Sequence, residues 1–319
     1  MKKILFTLLT GILGFSSYSQ SVESIIGEDV GQGEKLIEAY FTPMAESFGA
    51  GLNNGWYNTA KPHSLGGFDL TFTLNTVIIP SSAETFKIEN KFGEVFTSTK
   101  DKASTIFGSS DETDMMYNFS KNGIDTSLAF KMPGGFKTPA MPLPMIQAGI
   151  GLIKNTAIDI RYMPMLNVGD NINVNLFGVG VKHDILQWIP GIGDAIPMSL
   201  SLQGGHTSLN TELEISEQTV SLNTTATTIN LVASRKILML TGYAGIGYNS
   251  STTTFTAEVE NFDLSGIQFD EQVRIEFESN NNLRANIGLR LNITLITIQA
   301  DYTFSEYPTA TLGLGVSLR

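Results

Sequence analysis

The sequence predicts an all-β fold, an antiparallel transmembrane β-barrel of 10–14 strands with a short N-terminal helical segment. Three observations lead there. First, apolar and polar residues alternate with a period of two over long stretches. Between Leu283 and Ile293, Arg284, Asn286, Gly288, Arg290 and Asn292 occupy every second position, the pattern of a strand with unlike faces. Second, short turns and long polar connections succeed one another along the chain. Third, only 16% of residues are charged, against roughly 25% in soluble domains. Beyond the first twenty residues, no apolar stretch approaches the ~20 residues of a spanning helix.

Those first twenty residues read as an export signal. Lys2 and Lys3 form a positive start, Ile4 to Phe15 an apolar run, and Ser17 and Ser19 supply the small residues before cleavage at Ser19-Gln20. The run is too short for a stop-transfer helix, and no Cys follows it to carry a lipid. The expected destination is the outer membrane of a Gram-negative cell. The chain has no cysteine at all, which excludes thiol chemistry and cysteine metal sites. A closed barrel is one way for an exported chain to be stable without disulfides. The formal charge of −11 deepens to −13 once Lys2 and Lys3 leave, so nucleic acid is not an expected partner.

The expected division is a signal peptide at 1–19, a helical plug or periplasmic segment at 20–62, and the barrel at 63–319. From Gly33 to Phe48 the apolar residues Ile37, Tyr40, Phe41, Met44 and Phe48 recur at helical spacing. Pro43 is expected to kink or interrupt that helix, and the glycine-rich Gly49–Trp56 to end it. Two placements fit: a periplasmic helix resting against a barrel mouth, or a plug inside the lumen.

Strand patterns begin at Gly66, where Phe68, Leu70, Phe72 and Leu74 oppose Asp69, Thr71, Thr73 and Asn75. Pro80 to Pro142 reads as one long loop with an extra hairpin near Thr85–Phe96 and Thr126–Met132. Alternation resumes at Met145–Ile153, turns at Lys154-Asn155, and continues through Ile158, Ile160 and Tyr162. In Asn171–Lys182 the parity changes at Leu176-Phe177, the expected mark of a β-bulge. His183–Pro197 is a longer link with room for one helical turn. Further strands lead to a short turn at Arg235-Lys236, another near Thr294, and a last strand from Ala310 to Arg319. Long polar loops are expected around 80–142, 210–224 and 250–282. Short turns on one side and long loops on the other are the plan of an outer-membrane barrel.

A secreted β-sandwich alternates too, with its apolar face inward. Against it stand strands about as long as the 9–11 residues that cross a bilayer at a tilt, uniform apolar faces, and polar faces rich in Gly, Ser, Thr and Asn. With the apolar face toward lipid, Asp69, Asp159, Arg161, Arg284, Arg290 and Asp301 point into the lumen. There they form either a salt-bridge network bracing the wall or a charged constriction that selects solutes. Ile37, Tyr40, Phe41, Met44 and Phe48 are the plug candidates.

The final "TATLGLGVSLR" resembles the terminal strand that outer-membrane proteins present to the barrel-insertion machinery, though it ends on Arg319 where an aromatic is usual. "GVGVKHDILQWIP" (Gly178–Pro190) and "RYMP" (Arg161–Pro164) resemble an uncharacterised family of Bacteroidota outer-membrane barrels. That likeness spans most of the chain and implies a fold but no activity. In layout alone, helices ahead of a barrel are remotely similar to the long-chain fatty-acid (FadL-like) transporters. The likeness implies an N-terminal plug and a path for hydrophobic ligands.

Catalytic motifs are missing. His63, His183 and His206 are the three histidines, and none pairs at a metal-ligand spacing such as H-x-x-x-H. His183 beside Asp184 reads as a turn contact. Ser201, Gln203 and Gly205 share a face that His206 does not. No enzymatic activity, cofactor or metal is expected. The expectation is a passive transporter or channel for small molecules, hydrophobic ones included. The alternative is a structural or surface-interaction barrel with a closed lumen and functional outer loops. Outer-membrane lipid, the insertion machinery and a small hydrophobic ligand are the partners envisaged.

Overall fold

A computed structural model describes residues 30–88, 92, 95–121, 124–167, 172–189, 197–215, 218–258, 262–264, 267–269, 272–279 and 282–318. The expected signal peptide lies outside these. Helix α1 (Val30–Asn53) is followed by β1 (Phe68–Ile78), β2 (Thr85–Lys87), β3 (Phe96–Thr97), β4 (Lys102–Ser104), β5 (Thr113–Lys121) and β6 (Ile124–Met132). Next come β7 (Ala140–Leu152), β8 (Thr156–Asn167), β9 (Ile172–Asp184), β10 (Ser199–Ile215), β11 (Gln218–Ile237) and β12 (Leu240–Glu258). The chain ends with β13 (Phe262–Leu264), β14 (Ile267–Phe269), β15 (Gln272–Glu278), β16 (Leu283–Ile293), β17 (Ile296–Phe304) and β18 (Thr309–Leu318).

Ten strands make the wall. They run β1, β7, β8, β9, β10, β11, β12, β16, β17 and β18, each antiparallel to the next, and β18 returns to β1. Phe68 pairs with Leu318 across that seam, so the wall begins and ends at the same rim. Closure leaves no unpaired edge, which hydrocarbon would not tolerate.

Every wall strand holds apolar side chains outward and half exposed, among them Phe72, Ile146, Ile160, Val179, Leu202, Ile229, Ile246, Ile287, Ile298 and Leu314. The alternate positions, such as Thr71, Thr73, Gln203, Thr228, Asn286 and Gln299, are buried inside. The wall is therefore a closed transmembrane barrel with its apolar side outward and its polar side enclosed. No helix among the described residues is long and apolar enough to cross a membrane.

Short turns close one rim, at Lys154-Asn155, Leu238-Met239 and Thr294-Leu295. Lys154 and Asn155 both have positive φ, near +57° and +47°, as tight primed hairpins require. The second turn lies beyond the expected Arg235-Lys236. Those two residues continue β11, and the reversal falls at Leu238, whose φ is +56°. The His183–Pro197 link does hold one 3-10 turn, Leu186–Trp188.

The opposite rim differs from expectation. β10, β11 and β12 are 17, 20 and 19 residues long, beyond the ~9–11 that span a bilayer. Residues expected to be loops at 210–224 and 250–258 instead carry the strands outward as a flap, to which β15 adds by pairing with β12. The Pro80–Pro142 loop is a small folded head. β2 pairs with β4, and β3 joins a β5–β6 hairpin; β6 is the strand expected near Thr126–Met132, but it pairs with β5, which was not expected. Phe86, Phe92, Phe96, Met115, Tyr117 and Phe130 form its apolar centre. Strand β7 starts at Ala140, not Met145.

One local expectation is overturned. β9 has no bulge at Leu176-Phe177, because its pairing with β10 is continuous from Ile172 to Asp184. The irregularity sits instead on β8, between Met163 and Leu166. Leu176 points inward like Gly178 and Gly180 below it. What changes along the strand is the lumen, polar near the turn rim and apolar near the loop rim. Helix α1 runs on through Pro43 and ends at Asn53, inside the expected Gly49–Trp56 stretch. Gly49 and Gly51, within it, allow close contact. A Cβ on Gly49 would lie 2.8 Å from that of Ser251, and one on Gly51 3.2 Å from the Val77 methyl.

Candidate functional site

The lumen is occupied by the protein's own N-terminal segment. Helix α1 stands at the loop rim, between the head and the β10–β12 flap. Leu36, Tyr40, Met44, Phe48 and Leu52 pack on Phe86, Ile106, Met145, Leu176, Leu209 and Leu222. Ile37 and Ala45 meet Ile275 and Phe277, and Phe41, half-buried, stacks on Phe255 at 5.5 Å. The Ile106 amide donates to the Tyr40 carbonyl at 3.2 Å, and the Tyr40 hydroxyl donates to the Gly134 carbonyl at 2.9 Å. Ile37, Tyr40, Phe41, Met44 and Phe48 thus lie at the loop rim, packed between the head and the flap.

Below this helix, residues 54–60 descend through the barrel to the turn rim without helix or strand. The last carbonyls of an α-helix have no partners within it and carry the negative end of its dipole. Here the wall supplies those partners. The Asn75 amide donates to the Gly51 and Asn54 carbonyls at 2.9 and 3.1 Å. Arg161 donates to the Leu52 carbonyl through Nη1 and to the Asn54 carbonyl through Nη2, both at 2.7 Å. Arg284 donates to the Asn53 carbonyl at 2.6 Å and to the Asn54 side chain at 2.7 Å. Lower down, Arg290 donates to Asn58 Oδ1 at 2.7 Å. Two cations at a helix C-terminus match its dipole, and the guanidinium fork suits adjacent carbonyls.

The aromatic residues of this thread have seats in the wall. Trp56 lies with the Arg161 guanidinium 3.6 Å from its ring centre, a cation–π arrangement. It fits because β9 and β10 present Gly180 and Gly205 side by side. A Cβ at Gly180 would come within 2.7 Å of the indole, and one at Gly205 would collide with it. The Tyr57 hydroxyl donates to Asn286 Oδ1 at 2.7 Å. Ser201 donates to the Ala60 carbonyl at 2.5 Å, and the Ala60 amide donates to Ser234 at 2.9 Å.

All six lumen candidates face inward and are buried: Asp69, Asp159, Arg161, Arg284, Arg290 and Asp301. They do not form one ring. The arginines grip the thread, Asp301 accepts from the Tyr243 hydroxyl at 2.8 Å, and Asp69 lies 3.3 Å from His63. The sequence reading missed the His63–Asp69 pair, the Asn54 hub, and the Trp56 slot. Inward glycines at facing positions of adjacent strands were the signal for that slot. His183 contacts Thr156 at 2.8 Å and accepts from the Trp188 indole at 2.8 Å, while Asp184 accepts from the Leu186 amide. His206 faces outward beside Thr227.

Solved structures similar to the chain are outer-membrane proteins at low identity. The translocator domain of the autotransporter NalP from Neisseria meningitidis is 10% identical, over 89% of this chain and 96% of that one, with a TM-score of 0.29. The outer-membrane protease OmpT from Escherichia coli is 10% identical over 79% and 97%, with a TM-score of 0.29. The TodX monoaromatic hydrocarbon channel is 10% identical over 86% and 75%, with a TM-score of 0.27. No curated protein matches. A family model does match, over residues 1–318, and the chain accordingly belongs to the family of unknown function DUF6588.

Proposed function

We propose that this protein is a closed outer-membrane barrel that carries a folded head and flap on the cell surface, with its own N-terminal segment as a resident stopper. The observation that carries the reading is the capping of the helix's last carbonyls by Asn75, Arg161 and Arg284. Hydrogen bonds to charged groups contribute about 1.5–3 kcal/mol each, so a passive pore would have to break several together at every opening. The binding surface for a partner is then the loop-side head, and no catalytic chemistry is assigned to it. The lipid-facing wall and the terminal strand Thr309–Leu318 are what the membrane and the insertion machinery would meet. The test is conductance in planar bilayers. The native chain should give no steps, and a chain lacking residues 30–60 should give them. Steps from the native chain would end the proposal.

One observation favours a second reading, gated passage of small hydrophobic molecules. If the helix withdrew, Met145, Leu176, Leu209 and Leu222 would leave an apolar collar at the outer mouth. This would be a FadL-like division of labour between plug and barrel. A Cβ built at Gly49 lies 4.0 Å from that of Ser279, within the roughly 3.5–4.5 Å of disulfides. In this cysteine-free chain, Gly49→Cys with Ser279→Cys, and Ser251→Gly to make room, should lock the helix. Uptake of a hydrophobic probe that stops on oxidation and returns on reduction supports gating. Equal uptake in both states rejects it.

A further inference from the structure

The pairings that close the wall are not equally long. β7 and β8 pair from Leu152 with Thr156 up to Gln147 with Arg161, and there the ladder stops. Both strands run on toward the loop rim, β7 to Ala140 and β8 to Asn167. Each stays paired to its other neighbour, β1 or β9. Continued in the same register, Pro144 would face Pro164, and neither has an amide hydrogen to give. The Gly151 amide donates to the Gly67 carbonyl on the β1 side. Odd positions of β7 therefore face β1, and the even ones, Pro142 and Pro144 included, face β8. Within a sheet, proline is confined to such edge positions. On β8, Pro164 sits in the irregularity between Met163 and Leu166, where an extra residue bends the strand. An ordinary split edge would strand donors in hydrocarbon; at Pro142 and Pro144 those donors do not exist.

The seam lies within the apolar belt. Pro144 pairs with Leu74 of β1, and Ile78, nearer the loop rim, is still outward and exposed. Ile146 and Tyr162, 50% and 58% exposed, flank the lower end of the seam on its outer side. Leu143 and Met163 point inward by parity, yet both are only half-buried, whereas Met145, Gln147 and Arg161 just below are buried. Both pack on the apolar cluster around α1, and Leu143 rests against the helix at Gly51.

We propose that this seam is a side window that seats the acyl chain of a lipid from the loop-side leaflet, bringing it through the wall to Leu143, Met163 and α1. The occupant follows from continuity with the apolar outer wall, since what meets a gap at this depth is hydrocarbon. A peptide strand is excluded by the prolines, which offer it no donors. Lipid tails are as apolar as leucine, so close packing against the two side chains, and not escape from water, is the attraction. By linkage a seated chain favours the seated helix, and the membrane itself helps to hold α1. The window does not depend on whether the barrel is closed or gated.

The test uses the full mature chain, one barrel per nanodisc of phosphatidylcholine, a small share of which carries a diazirine in its acyl chain. After irradiation, adducts are mapped by mass spectrometry. The native chain should carry them on Leu143 and Met163 as well as on outward Ile146 and Tyr162. Val232, an inward apolar residue on a strand paired along both sides, should carry none. Pro144→Val with Pro164→Val restores both facing donors. Once folding is confirmed by gel mobility, that variant should lose the inward adducts and keep the outward ones. Adducts on the native chain confined to outward residues overturn the proposal, and that result needs no variant. Inward adducts that persist in the folded double variant overturn it too, because the acyl chain then enters by another route. A free diazirine fatty acid that labels Leu143 and Met163 where the phospholipid does not would assign the window to a soluble lipophile and reject the membrane lipid as occupant.

Discussion

The two halves of the stopper are held by different physics. At the loop rim, α1 is a cork of Leu36, Tyr40, Met44 and Phe48 against a collar of wall and head side chains. That contact is non-directional and roughly proportional to the apolar area it removes from water. Below it, the helix end and the thread are held by donors aimed at single oxygens: Arg161, Arg284, Arg290, Asn75 and Ser201. A cork tolerates a lost methyl by settling. A clamp does not, because each donor removed orphans a carbonyl out of reach of water. The upper half sets how firmly the segment is seated, and the lower half fixes its register.

That contrast can be broken in four ways, the largest effect first. Arg161→Ala takes the donor from the Leu52 carbonyl and from Gln147 Oε1, leaves the Asn54 carbonyl with Asn75 alone, and removes the guanidinium from Trp56. Orphaned buried groups cost about 1–3 kcal/mol each, so denaturant unfolding in micelles should show a loss of about 3–5 kcal/mol. Bilayer recordings of this variant should show openings absent from the native chain. A loss below 1 kcal/mol would mean the clamp is ornamental. Leu36→Ala, fully buried in the cork, should cost about 2–4 kcal/mol without opening the lumen. Conductance from that variant would erase the distinction between the halves.

Gly205→Val pushes into the indole seat and should cost about 1–3 kcal/mol by overpacking. The chain has two tryptophans, Trp56 and Trp188. In a Trp188→Phe background, the emission of Trp56 should move to the red as it leaves its slot. Unchanged emission would place the side chain elsewhere. The smallest energetic effect is expected for Lys35→Cys, exposed at the loop-rim end of the helix. Stability should not change measurably. A membrane-impermeant maleimide should label it on intact cells, whereas Lys154→Cys at a tight turn should stay unlabelled. The reverse pattern would invert the barrel.

Much of the wall was legible because a lipid-facing strand obeys one rule along its whole length. Phe68, Leu70 and Phe72 announce their outward face with no knowledge of their neighbours. The inward face answers to whatever fills the lumen, and that information lies elsewhere in the chain. Leu176 reads as a change of parity only if the lumen is assumed polar throughout, and nothing near Leu176 says that a helix 130 residues earlier lies against it. The outward run of β10–β12 was hidden for a similar reason. Above the membrane, polar Thr, Asn and Ser suit a strand whose one face is wet as well as they suit a loop. The six lumen candidates could be placed on the correct face by parity. Their partners could not, since Asn54, Asn58 and two backbone carbonyls carry no pattern that marks them as acceptors.

The register of Phe68 with Leu318 has a consequence for biogenesis. The segment that fills the barrel precedes its first strand and exits at the far rim from where that strand begins. A ten-stranded wall leaves no hole through which a packed helix could be drawn afterwards. The sheet must curl around a guest already in place, so the join between first and last strands is the final one zipped. Maturation of this protein is then the closing of a cylinder on its own N-terminal arm.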